Sequence, residues 1–285
     1  MTASANGSHG DSQSGSPSGS PSGSQGGSPS TSHGGSHGGS KSGAPSNDSA
    51  FVVELRGVVK NYGGLRPLRV ASLDVRVGER VAIEGFDRIT AELFVNLLNG
   101  AVLPDEGDVR VMGQSTRDID NSDEWLESLD RFGLVTDRAV LLGGSPIAHN
   151  LALPFSLEID PMPDDVRAQV MALAREVEMD EAQLEPLTGN AGPAMQMRVH
   201  LARALATDPR VLLLEHPTVS LPRDAVAAFA GLVRRVSERR GLAVIALTGD
   251  KEFADEMAET ALALQPGTGK LTSTRGWRRW LNVGR

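Results

Sequence analysis

The chain has 285 residues, with 28 Lys and Arg against 36 Asp and Glu, a net charge of -8, and no cysteine. The missing cysteine excludes disulfides and thiolate metal sites, and the acidic balance argues against general nucleic-acid binding. No apolar run approaches the ~18 residues of a membrane-spanning helix, and no secretory h-region is visible, so the expectation is a cytoplasmic protein.

Residues 1–50 are Ser, Gly and Pro with scattered His. Such a segment lacks the apolar surface to offset ordering entropy, so a disordered arm is expected. His9, His33 and His37 have no metal-ligand spacing. The folded domain is expected over 51–274. Phe51 to Lys60 reads as a strand, Asn61-Tyr-Gly-Gly64 as a turn, and Leu68 to Val77 contains a strand with alternation at Leu73, Val75 and Val77. Val81 to Ile83 reads as a short buried strand. Gly85 then opens a turn, and Thr90 to Leu98 reads as a helix with Leu93, Leu97 and Leu98 on one face.

Asp108 to Gly113 reads as a strand and turn, and Gly133-Leu-Val as another short strand. Between them a helix over 121–130, capped by Asn121 or Ser122, turns Trp125 and Leu129 inward. From Ile147 to Glu185 the pattern is helical. Pro163-Asp-Asp opens a helix whose apolar stripe is Val166, Val170, Leu173 and Val177. A helix follows over Met195 to Ala206. Val211 to Leu214 is continuously apolar, as a strand covered on both faces should be. Pro222 to Arg240 (helix, ending at Gly241), Leu242 to Leu247 (strand), Lys251 to Met257 (helix) and Ala261 to Leu264 (strand) complete the domain. Strands alternating with helices predict an α/β fold with a mostly parallel sheet.

A phosphate-binding loop needs G-x-x-x-x-G-K-[ST] between a strand and a helix. Gly85 holds the first glycine position. Thr90 stands at the second glycine, Ala91 at the lysine and Glu92 at the magnesium-binding hydroxyl. The order of elements and three stretches, Asn96-Leu-Leu-Asn-Gly100, Asn150-Leu-Ala-Leu-Pro154 and Arg198 through Leu214 to Thr218, resemble the nucleotide-binding subunit of ABC transporters. The resemblance covers 51–271. It implies a P-loop NTPase-like ABC ATPase fold, in which a mostly parallel sheet core is joined by an antiparallel β subdomain and an inserted helical subdomain over about 147–190. It also implies a cytoplasmic ATPase that dimerises head to tail around ATP and magnesium and drives a membrane partner.

Under the resemblance, Tyr62 occupies the adenine-stacking position, where it is either that platform or a strand-end tyrosine packed on the core. Arg88 is the one basic residue of the loop that can swing toward a phosphate. Asp137 falls at the Q-loop glutamine, as a metal ligand or as a surface acid beside Arg138. The signature motif aligns with Ala191 to Met195, with Gly192 at the serine and Pro193 and Ala194 at the glycines; Pro193 removes an N–H donor. Glu215 and His216 replace the acidic pair that holds magnesium and polarises water, Pro222 replaces the D-loop aspartate, and Gly249 replaces the switch histidine.

A carboxylate at Glu92, about 4 Å from a phosphate at an effective dielectric near 20, costs about 4 kcal/mol per charge pair. The expectation is that Asp87 and Glu92 fill the anion site at the helix N-terminus themselves. The expected function is therefore a degenerate pseudo-ATPase with weak or no ATP hydrolysis, a structural or regulatory partner of an ABC-type transport system. No catalytic residue, metal or resident cofactor is assigned, and ATP with magnesium is doubtful as a ligand. Implied partners are an ABC ATPase subunit, as a homo- or heterodimer, and a membrane-embedded permease that would hold the chain on the inner face. Nucleic acid is not implied. The alternative is a working subunit that couples ATP binding and hydrolysis to transport; a soluble scaffold without a transporter is a third reading. The basic aromatic tail over 275–285, with Trp277 and Trp280, either touches a membrane or partner or packs back on the domain.

Overall fold

The computed structural model describes residues 51–274; the expectations for the 1–50 and 275–285 tails lie outside them. The first elements are β1 (Phe51–Lys60), β2 (Leu68–Arg76), β3 (Arg80–Glu84), α1 (Arg88–Leu98), β4 (Glu106–Val111), β5 (Gln114–Ser115), α2 (Ser122–Leu129) and β6 (Phe132–Thr136). Then come α3 (Ile147–Ala152), α4 (Asp164–Glu176), α5 (Pro193–Leu205), β7 (Val211–Glu215), α6 (Arg223–Arg240), β8 (Ala243–Leu247), α7 (Lys251–Met257), β9 (Thr260–Gln265) and β10 (Lys270–Ser273).

Two sheets result. One is antiparallel, in the order β2-β1-β4-β5; the other runs β10-β9-β3-β8-β7-β6. In the second, β9, β3, β8, β7 and β6 pair in parallel and β10 adds an antiparallel edge. β7 and β8 are buried at every position, which explains why they are apolar up to Glu215, the last residue of β7. Side chains alternate across the sheet. Leu212, Leu214, Val244 and Ala246 therefore join the core under α5, α6 and α7, while Val211, Leu213, Ile245 and Leu247 join the core shared with α1 and the antiparallel sheet. Burying each such side chain fully stabilises the fold by about 1.5–3 kcal/mol. Glu215 continues the odd-numbered series of β7 and so emerges on the α1 side.

Several boundaries differ from the sequence expectation. α1 starts at Arg88, two residues early, because Asp87 caps it. α5 starts at Pro193 for a related reason: proline at the first helical position lacks only an N–H the helix does not use. The 147–185 stretch is two helices and loops, with a 3-10 turn at Glu181–Gln183. β5 and β10 were not expected; both are short and lack a strong apolar alternation. Asn121 does cap α2, accepting from Glu124 N–H at 2.9 Å, but Trp125 and Leu129 are only half-buried. Trp125 Nε1 donates to Asn99 O at 3.0 Å. Gly241 ends α6 with φ +65°. Among the described residues no helix is long and apolar enough to cross a membrane.

Candidate functional site

In an open parallel sheet, ligands bind beyond the carboxyl ends of the strands, because the loops there converge while the strands themselves are packed. Here those ends bring together the turn after β3, the turn after β6, the residues after β7 and the loop after β8. The β3 turn is built on Gly85. Its φ is +101°, and a Cβ there would lie 2.9 Å from Leu264 O, so both backbone conformation and the approach of β9 demand glycine.

Asp87 then closes the start of α1. Its carboxylate accepts from Thr90 N–H at 2.8 Å and from Thr90 Oγ1 at 2.7 Å, while Asp87 N–H donates to Thr90 Oγ1 at 2.9 Å. This reciprocal box satisfies N–H groups that a helix otherwise leaves to solvent or to an anion. The Thr90 N–H, then its hydroxyl, hold the Asp87 carboxyl below the usual carboxylate range, with smaller help from Ile89 N–H and the charge of His216 and against a burial effect. Ala91 is fully buried under the loop, so its position points into the core shared with the antiparallel sheet rather than to solvent.

The charged side chains are paired across elements. Arg88 Nη2 is 3.0 Å from Asp137 Oδ1. Arg138 Nη1 is 2.7 Å from Glu92 Oε1, and its Nη2 is 2.5 Å from Glu215 Oε2. Glu215 is 2% exposed, and a buried carboxylate requires such a partner. Glu215 Oε1 and His216 Nε2 are buried without a hydrogen-bond partner among the described residues. Arg88, Asp137, Glu215, His216 and Val219 line a pocket of about 200 Å³. His216 holds the left-handed φ of +45°, and its N–H donates to Leu247 O at 3.0 Å. Among the described residues no three His, Cys, Asp or Glu side chains are grouped to hold a metal ion.

One expectation is corrected. Glu92 does not share the helix N-terminus with Asp87; it turns to Arg138. Asp137 is an exposed acid beside Arg138, and it is also bound to Arg88. The reason is geometric. Arg88 and Glu92 are four residues apart on α1 and share a face, and that face meets the adjacent pair Asp137 and Arg138 with opposite charges in register.

The remaining predicted residues are not among those lining this pocket. Tyr62 packs against the α1 core, with its ring over Gly64: a Cβ at Gly64 would lie 2.6 Å from the ring. Gly192 precedes α5 as its N-cap residue and Ala194 is partly buried against the other core. Pro193 removes no donor the helix needs, while the Gln196 side chain donates to Thr188 O and Ala191 O at 3.2 and 3.0 Å. Gly249 lies in the exposed loop before α7, beside a separate pocket of about 150 Å³ that also carries Glu84, Asp250 and Lys251. Arg138 is the residue that sequence reasoning missed. A carboxylate ending a fully apolar strand needs a cation, and an arginine just past the neighbouring strand β6 was the available signal.

A family model described as ABC transporter matches residues 68–219. The methionine import ATP-binding protein MetN of Clostridium acetobutylicum is 25% identical over 222 residues, covering 78% of this chain and 68% of its own. MetN of Leifsonia xyli is 29% identical, covering 75% and 63%. The sulfate/thiosulfate import ATP-binding protein CysA of Bordetella bronchiseptica is 28% identical, covering 75% and 60%. The chain thus spans about 60 to 68% of the length of these curated relatives. Among solved structures, cbiO1 of Clostridium perfringens, part of the ABC transporter complex cbiONQ, superposes with a TM-score of 0.69 at 17% identity, over 82% of this chain and 92% of its own. The ATP-binding cassette MJ0796, a dimer bound to ADP and Pi, gives 0.64 at 24% identity over 79% and 99%. These likenesses establish the cassette fold.

Proposed function

The chain belongs to the ABC transporter family as an ATP-binding-subunit homologue, and on that premise we propose that it is a pseudo-ATPase, a structural or regulatory member of a transport system. The observation that carries this reading is the capped start of α1. A phosphate there would need the N–H groups and a lysine; the Asp87 carboxylate already holds Thr90 N–H at 2.8 Å, and Ala91 stands at the lysine position. A polyphosphate entering this loop meets a carboxylate rather than a cation, and the nearby guanidinium of Arg88 is paired with Asp137. The residues present therefore do not fit Mg-ATP.

The proposed partners are another ABC ATPase subunit, as a homo- or heterodimer, and a membrane-embedded permease, with the chain peripheral on the inner face of the membrane. In a heterodimer this chain contributes an altered phosphate loop to one nucleotide site and an altered signature segment, Gly192 to Ala194, to the other. Both sites then depend on it for architecture rather than chemistry.

A second reading is favoured by the relatives, whose names describe ATP-binding proteins of methionine and sulfate/thiosulfate import: a working ATP-binding subunit that powers transport. Phosphate release by the purified chain separates the two. The pseudo-ATPase reading predicts turnover indistinguishable from buffer for wild type. Turnover above background that Glu215→Gln abolishes would establish the second reading.

A further inference from the structure

The charge arrangement behind α1 has a consequence for metal dependence, and it rests on the same reading of the site. Arg138 follows β6 and reaches two carboxylates on two other elements, Glu92 of α1 at 2.7 Å and Glu215 of β7 at 2.5 Å. The second pair, Arg88 with Asp137 at 3.0 Å, runs alongside with its charges reversed. Together they clasp the first turns of α1 to the loop after β6.

We propose that Arg138 is the resident cation of this site: its guanidinium takes the place that a divalent ion would need between α1 and the β7 carboxylate, making this cassette independent of metal. Three observations support it. Glu215 is buried at the end of an apolar strand and its Oε2 is already engaged by Nη2. A magnesium ion requires several oxygens at 2.0–2.1 Å in octahedral array, yet Glu215 Oε2 and Glu92 Oε1 are each engaged by an Arg138 guanidinium nitrogen, at 2.5 and 2.7 Å, which leaves Glu215 Oε1 as a buried oxygen without a hydrogen-bond partner among the described residues. A guanidinium also stays charged at every accessible pH. Burial alone would lower the Arg138 pKa, but the hydrogen bonds and charges of Glu215 and then Glu92 outweigh it and raise it.

The test is thermal unfolding of the full chain without nucleotide, in EDTA and then in 5 mM MgCl2 or MnCl2. Wild type is expected to give one melting temperature in all three. Arg138→Met leaves Glu215 buried without its partner, so its melting temperature should fall by roughly 10 °C in EDTA and recover in part with MnCl2. In Arg138→Met/Glu215→Leu the fall should be largely reversed in EDTA, and metal should add nothing, because no buried carboxylate remains. A rise of several degrees for wild type with either metal overturns the proposal, and that arm needs no variant to fold. So does an Arg138→Met protein that melts with wild type. Failure here is distinct from failure of the pseudo-ATPase reading: ATP bound by wild type in EDTA would end that reading and leave Arg138 as the cation. A metal response in the absence of ATP would end this proposal and leave the reading of the phosphate loop intact.

Discussion

At the residue scale, Asp87 carries the largest share of the account. It converts a helix start with open N–H groups into a closed box with Thr90. Such a cap contributes about 1 kcal/mol. The folded pKa of Asp87 is depressed, first by Thr90 N–H, so its contribution is complete above the unfolded carboxylate value near 3.8 and is lost as pH falls through the folded one. Asp87→Ala should therefore cost about 1 kcal/mol in urea unfolding at pH 7, and the difference from wild type should shrink toward pH 3. An equal loss at both pH values would place the effect elsewhere. The residue was legible in the sequence as an acid before a helix, but its partner was not. A phosphate-loop template sees Thr90 only as a lost glycine, whereas its hydroxyl and N–H are what hold Asp87. Spacing along the chain leaves Glu92 at the same anion site, because it cannot reveal Arg138, which is 46 residues away in sequence and arrives from the turn after β6.

At the element scale, the sequence showed most of what the structure contains, for a physical reason. β7 and β8 are covered on both faces, so Val211 to Leu214 and all of β8 are apolar, and an apolar run of four or five residues between helices has few other readings. α4 declares itself through Val166, Val170 and Leu173, all buried. What was not legible depends on partners distant in sequence. β10 has one half-buried leucine among exposed residues and forms because β9 offers it an edge. The junction of β3 and α1 makes a test at this scale. Gly85 sits with φ +101° against Leu264 O, so Gly85→Ala must either strain the backbone or push β9 away. The expected loss is about 1–3 kcal/mol, measured by denaturant unfolding. An unchanged midpoint would mean that the turn does not hold the two strands together as described.

At the scale of the whole molecule, the cassette fold and the phosphate chemistry come apart. The chain superposes on the solved cassettes over 82% and 79% of its length, and the two cores that hold the fold are apolar throughout. The polar ends of the strands are instead filled from within, by Asp87 at the helix start and by Arg138 between Glu92 and Glu215. A fold persists when its core does, while function resides in the side chains placed at its strand ends. The sequence exposed the substitutions at those ends one at a time; the internal ion pairs that complete them required the three-dimensional arrangement. Both readings of function agree on the scaffold and differ over whether it still takes up ATP.

The most direct measurement is isothermal titration of the purified full chain with Mg-ATP, beside an Ala91→Lys/Glu92→Ser variant that restores a lysine and a hydroxyl to the loop. Wild type is expected to give no heat of binding up to millimolar nucleotide. Micromolar binding of Mg-ATP by wild type would contradict a phosphate loop filled by Asp87.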